Sequence, residues 1–169
     1  MSAPNTDTLS LALPDLAATD ALGQALAEAV EPGTTICLTG SLGAGKTRLM
    51  QALGVALGIP REEIVSPTFV LCRQHAGRSP REGVPLDLWH LDAYRVEDED
   101  AFLELGIEEM CAGDDVVCVE WGERFGELLP KDRLNLTISV TGESSRRADA
   151  SAGGSVSRRV LQRLRQALA

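Results

Sequence analysis

The chain has 169 residues, 44% of them hydrophobic and 24% charged, with a formal net charge of −9. That length suits one α/β domain with a sizeable core and is short for two. The acid excess argues against broad, direct nucleic-acid binding; no apolar run approaches the roughly 20 residues of a membrane-spanning helix, and nothing resembles a secretory leader.

In chain order, a polar start gives way to a short apolar strand at residues 9–13. An amphipathic helix follows, with Thr19 as its expected N-cap and Leu22, Ala25, Leu26 and Ala29 on one face. Glu31-Pro32-Gly33 ends it, and the β-branched run 34–39 reads as a strand. Residues 40–47 are Gly-Ser-Leu-Gly-Ala-Gly-Lys-Thr, and Leu49, Leu53, Ala56 and Leu57 then carry a helical period that Gly58 and Pro60 stop. Beyond a loop ending in Ser66-Pro67-Thr68, the runs 69–74 and 88–94 read as an antiparallel hairpin with a long connection. An acid-rich helix is expected near 98–105. The run 116–119 is a buried strand closed by Glu120 and Trp121, and a short helix ends at Pro130. Leu134, Leu136, Ile138 and Val140 alternate as in a half-buried strand. The sequence thus predicts an α/β, three-layer P-loop fold, its sheet mostly parallel with one antiparallel hairpin. Residues 1–140 form the expected P-loop domain. Residues 141–169 read as an appendage, a mobile basic linker to about 155 and then a C-terminal helix.

Strand, glycine loop and helix are the context that makes G-x-x-x-x-G-K-T a phosphate site. The glycines of the stretch Ser41, Leu42, Gly43, Ala44 and Gly45 let backbone N–H groups turn inward around a phosphate. The helix N-terminus adds roughly half a positive charge. Lys46 reaches the β- and γ-phosphates, and the Thr47 hydroxyl ligates magnesium. Fourteen of the sixteen basic residues are arginine, yet lysine stands at the position where a compact ammonium must reach phosphate.

Turnover also needs a carboxylate on the metal side and a group that places the attacking atom. Asp92 and Glu120 both end strand-like runs, and parallel strands deliver such residues to the ligand edge of a sheet. Glu120 is the first choice for magnesium; Asp92 orients water or completes the metal shell. Thr68 belongs either to a loop closing over the γ-phosphate or to a plain turn. Trp121 lies against nucleotide or partner, or is half-buried packing. His75 and His90 read as ordinary strand residues.

Charge is unevenly spread. Residues 141–169 hold six arginines against two acids, whereas 1–140 hold ten basic residues against twenty-three acids. The acids are densest from Asp92 to Glu127, as a solvated surface or a face for a basic partner. The four cysteines lack C-x-x-C spacing, so neither zinc nor a disulfide is expected, which fits a reducing cytoplasm.

Gly40 to Thr47, Ser66-Pro67-Thr68-Phe69, His90-Leu91-Asp92-Ala93-Tyr94-Arg95, Glu104-Leu105-Gly106-Ile107 and Val119-Glu120-Trp121, in this order, resemble the signature blocks of the TsaE (YjeE) family. The likeness runs from about Leu11 to Val140. It implies a cytoplasmic, magnesium-dependent ATPase that serves threonylcarbamoyladenosine modification of tRNA; a low rate alone is expected because the sequence places no evident arginine finger. It also implies the TsaB–TsaD complex as protein partner, with tRNA met only indirectly. Carried onto matching positions, Lys46 binds phosphate, Thr47 and Glu120 hold magnesium, Asp92 and Trp121 support turnover, and Arg133 lies near base or ribose. Ser41 stands where the family usually has an acid, and Arg48 where a small hydroxyl residue is common; Arg48 meets the phosphates or faces solvent. A small-molecule or nucleotide kinase is the competing reading of the same loop, with the stretch 73–81 as its only conceivable lid.

Overall fold

The computed structural model describes residues 7–65 and 71–169. Seven strands form one sheet in the order β1-β7-β6-β2-β5-β4-β3. They are β1 (Thr8–Leu13), β2 (Thr35–Gly40), β3 (Cys72–His75), β4 (Leu88–Asp92), β5 (Val116–Glu120), β6 (Leu134–Val140) and β7 (Arg146–Ala152). Strands β6, β2, β5 and β4 run parallel, and β3 adds antiparallel to β4 as the expected hairpin. Its connection holds the bridge Arg78↔Pro85, so the stretch 73–81 is sheet edge and hairpin rather than a lid.

Helices α1 (Leu16–Ala29), α2 (Lys46–Ala56) and α5 (Ser155–Ala167) bury their apolar faces on one side of the sheet, against Ile36, Leu38, Leu88, Val116 and Cys118. Helices α3 (Glu99–Glu104) and α4 (Ile107–Ala112), with the 3-10 segment Gly122–Leu128, cover the other side through Phe102, Ile107 and Phe125. Alternation along each strand sends neighbouring residues to opposite cores, which is why Val117 and Val119 join one cluster and Val116 and Cys118 the other. Helix α1 begins earlier than its pattern suggests. Asp15, not Thr19, caps it by accepting from Ala18 N–H at 2.8 Å, while Thr19 is buried within the helix. Helices α1 and α2 meet closely at Gly23, where a Cβ would stand 2.4 Å from that of Ala52.

The segment read as a mobile linker contains β7. It slots between β1 and β6 and is hydrogen-bonded on both sides. Its small Ala148 and Ala150 face the helices and are buried, and Arg147 and Asp149 point the other way. Alanines at alternate positions carry little hydrophobic signal, and two ladders of backbone bonds hold the strand instead. The sheet therefore does not divide at residue 140.

The basic C-terminal helix is bound to the acidic body. Arg159 and Arg163 both hold Glu31, Arg158 holds Asp7, and Arg165 donates to Thr8 O. At its start, Gly154 offers no side-chain cap, and Asp132 supplies one from another loop. Its carboxylate accepts from Val156 N–H and Ser157 N–H, each at 2.9 Å, and from Ser157 Oγ–H. Those bonds hold the Asp132 pKa below its usual value although burial pushes it up.

Arg159, then Arg163, hold the Glu31 carboxyl below its ordinary pKa of 4.5 against the opposing pull of burial. A depressed carboxylate contributes stability that is full above the unfolded pKa and is lost as pH falls through the folded one. Glu31→Gln is therefore expected to be less stable than wild type at neutral pH, with the gap closing in acid below pH 4.5. Urea unfolding at a series of pH values checks this; a gap independent of pH refutes it.

Candidate nucleotide site

The loop between β2 and α2 turns on glycines. Gly43 and Gly45 hold φ of +79° and +105°, a region that residues with a Cβ rarely adopt. Helix α2 starts at Lys46 with no side-chain cap, so its first N–H groups face the loop's concave side. A cavity of about 390 Å³ opens there, within the usual range for small-molecule sites. Leu42, Gly43, Gly45, Lys46, Thr47 and Arg48 line one wall. Asp92, Tyr94, Arg95, Glu120 and Trp121 line the other.

Sheet register explains the second wall. Strand β5 lies beside β2 with Leu38 opposite Glu120, and β4 lies beside β5 with Asp92 opposite Glu120. Two carboxylates thus reach the phosphate edge together, one and two strands from the loop. Both are buried, Glu120 to 2% exposure and Asp92 to 8%. Each is also fixed. Asp92 Oδ1 accepts from Tyr94 N–H at 2.9 Å. Glu120 Oε2 lies 2.7 Å from His90 Nε2. His90 Nδ1 is buried without a partner among the described residues, and an isolated acceptor is tolerated better than an isolated donor. The proton therefore sits on Nε2, donating to Glu120.

Lys46 is buried to 7% exposure. Its ammonium donates to Gly40 O and, at 3.0 Å, to Ser41 O, and it stands 4.2 Å above the Trp121 ring. Burial lowers its pKa, with Glu120, Glu123 and Asp92 opposing. Trp121 turns the chain immediately after Glu120 with φ of +59°, the one non-glycine residue at positive φ among those described. Such a backbone costs on the order of 1 kcal/mol or more. It brings the indole back over the lysine and against Tyr94, ring centroids 5.0 Å apart. Arg124 fastens that turn by donating to Ala93 O and Tyr94 O at 2.7 and 2.8 Å.

The structure therefore gathers Leu42, Gly43, Gly45, Lys46, Thr47, Arg48, Asp92, Glu120 and Trp121 around one cavity. Ser41 and Ala44 belong to the same loop, Ser41 through its carbonyl and Ala44 through a buried side chain. Arg48 faces neither bulk solvent nor the cavity alone; Asp20 of α1 grips its guanidinium with two bonds of 2.8 and 2.7 Å. Arg133 lies elsewhere. It precedes β6 at the end of the strands away from the loop and donates to Asn135, Gly126 and Pro130. That placement removes it from base or ribose contact in this cavity. Thr68 lies outside the described residues. His90 is more than the ordinary strand residue its sequence suggests, and its spacing of two from Asp92 on one strand, which puts both on the same face, is the signal that could have found it.

Oxygen donors from Thr47, Asp92 and Glu120 at one cavity suit magnesium, which takes few protein ligands beside phosphate oxygens and water. The four cysteines are free, and burial raises the pKa of Cys37 and Cys118.

A mixed α/β sheet with a parallel centre, a glycine loop opening a helix and buried carboxylates at the same strand ends define a P-loop protein. The model of the family "Threonylcarbamoyl adenosine biosynthesis protein TsaE" matches residues 13–148, and the chain belongs to that family. Among curated relatives called tRNA threonylcarbamoyladenosine biosynthesis protein TsaE, that of Treponema pallidum is 36% identical over 73% of this chain and 86% of its own. That of Bacillus subtilis is 37% identical over 80% of each, and that of Synechocystis is 44% identical over 73% and 76%. The crystal structure of Bacillus subtilis YdiB superposes with a TM-score of 0.74 at 28% identity, covering 94% of this chain and 95% of that one.

Lys46→Ala is expected to weaken nucleotide binding by at least about 100-fold, since a buried ammonium facing phosphate is worth several kcal/mol. Titration calorimetry with ADP checks it; unchanged affinity refutes the assignment of the loop.

Proposed function

We propose that this chain binds ATP with magnesium in the cavity and hydrolyses it in the service of threonylcarbamoyladenosine modification of tRNA, acting with the TsaB–TsaD complex and not on the tRNA base itself. The observation that carries the ATPase reading is the meeting of the Lys46–Thr47 helix start with Asp92 and Glu120 at one strand edge. The pathway rests on the family, whose curated members carry that modification in their names. No helix among the described residues is long and apolar enough to cross a membrane, and a cytoplasmic setting is part of the proposal.

In this reading Lys46 exchanges its bonds to Gly40 O and Ser41 O for β- and γ-phosphate oxygens, staying where it already is. Thr47 Oγ and Glu120 hold magnesium, which when bound neutralises charge on the phosphates. His90 keeps the Glu120 carboxylate aimed. Asp92, held through Tyr94 N–H, accepts a proton or hydrogen bond from the attacking water. Trp121 roofs the lysine and excludes solvent from the phosphate side. Arg48 sits at the lip, steadied by Asp20, within the nucleotide's side of the wall. A low rate without a partner is part of this reading: Arg48, Arg124 and Arg146 are engaged by a carboxylate or by backbone carbonyls, and Arg95 lines the cavity wall with Asp92. A partner-supplied or partner-ordered group is worth several orders of magnitude in such sites. Nothing among the described residues favours the kinase reading over this one, since the stretch 73–81 is hairpin rather than lid.

Two outcomes test this. Glu120→Ala should retain ADP binding within about threefold and lose magnesium-dependent turnover by at least about 100-fold; normal turnover moves the metal role to Asp92. Phosphate release should rise at least about tenfold when TsaB–TsaD is added. A flat response with nucleotide still bound refutes the partner assignment.

A further inference from the structure

We infer that Arg146, at the start of β7, is a positioning residue for the phosphate-binding loop. It gathers backbone carbonyls from behind the loop, and so aims the loop's N–H groups at the phosphate. The inference rests on the nucleotide reading of the cavity and adds to it a residue from outside the loop, the helix and the carboxylate wall.

The geometry has two halves. On the loop, Arg146 Nε donates to Ala44 O at 3.1 Å and Nη2 to Gly43 O at 3.2 Å. On its own hairpin, Nη1 donates to Ser145 O at 2.8 Å and Gly142 O at 3.2 Å. The planar guanidinium thus bridges the β6–β7 turn and the loop with its fork of donors. Its hydrogen-bond partners among the described residues are carbonyls and not a carboxylate, so the guanidinium serves here as a fork of donors rather than as half of an ion pair.

The loop needs such an anchor. At Gly43 and Gly45 nothing lies within 4 Å of where a Cβ would be; the buried Ala44 methyl pins the position between them, and the rotation of the two flanking peptides is left for other groups to set. Ala44 N–H is already used in a turn to Ser41 O, which leaves the Gly45 N–H as the donor to be aimed. A trans peptide sends its C=O and N–H in opposite directions. Holding Ala44 O on the Arg146 side therefore turns Gly45 N–H toward the cavity that Gly45 lines. A cation on the carbonyl also polarises that peptide, strengthening its N–H as a donor to an anion.

The test compares wild type with Arg146→Met, which keeps the aliphatic stem and removes the donors, and with Arg146→Lys. The readouts are ADP affinity by calorimetry, KM and kcat for ATP, and hydrogen exchange of the peptide spanning residues 40–48 in nucleotide-free protein. R146M should weaken ADP binding by about tenfold and raise KM, with kcat within about twofold. It should also speed exchange in the loop while distant peptides stay unchanged, and R146K should recover part of each effect. Wild-type affinity in R146M overturns the inference, as does weaker binding accompanied by unaltered loop exchange. If R146M does not fold, Arg146→Leu takes its place, with weaker binding and faster loop exchange again expected and wild-type values of either again overturning the inference. Wild-type protein that fails to bind ADP overturns the nucleotide reading instead, and loop exchange still decides whether Arg146 orders the loop.

Discussion

A nearly buried ammonium at the end of a parallel sheet is the constraint around which this molecule is arranged. Lys46 has given up most of its water, and its pKa is lowered by that burial. A cation in such a place needs acceptors and compensating charge. Carbonyls of Gly40 and Ser41 supply the first, and Glu120, Glu123 and Asp92 the second. The fold puts those groups there. Parallel pairing of β2, β5 and β4 sets Leu38, Glu120 and Asp92 in one row. The left-handed Trp121 then closes the row over the lysine. A phosphate arriving in the cavity finds a cation already stripped of most of its water.

What the sequence made legible was whatever its neighbours along the chain decide. The strand, loop and helix from Thr35 to Ala56 follow from a β-branched run, glycines and a 3.6-residue period. Asp92 and Glu120 stood out because a carboxylate closing an apolar strand has no reason to be there for packing. The features that escaped depend on contacts far apart in sequence. Asp132 caps a helix twenty-odd residues later, where the local residue is a glycine with nothing to offer. Strand β7 hides in a stretch of Ser, Gly, Ala and Arg because small residues suffice on its buried face. Arg133 shows the opposite failure. A place in a motif-like string suggested a ligand contact, and its carbonyl partners under the 3-10 segment show a fastening role instead.

The split of charge along the chain also has a structural answer. Arginines late in the sequence are matched by acids early in it, Arg158 with Asp7 and both Arg159 and Arg163 with Glu31. Exposed pairs of this kind contribute little each. Their shared Glu31 is mostly buried, however, and ties α5 to the turn that precedes β2. The basic tail is thereby part of the body, and its arginines answer acids at the start of the chain rather than the acid-rich stretch from Asp92 to Glu127.

The position of β7 has a consequence for synthesis. Among the described residues β1 pairs with β7 alone, so β1 has no neighbour until β7, made after the five strands between them, leaves the ribosome. A nascent chain ending before residue 146 can assemble β2, β5, β4 and β6 but exposes β1 and one edge of β6. Non-local closure of this kind is slow and leaves strand edges open in the meantime. The guanidinium that holds the glycine loop's carbonyls arrives with that same strand. Completion of the sheet and the bonding of Arg146 to the glycine loop are thus one late event in a growing chain.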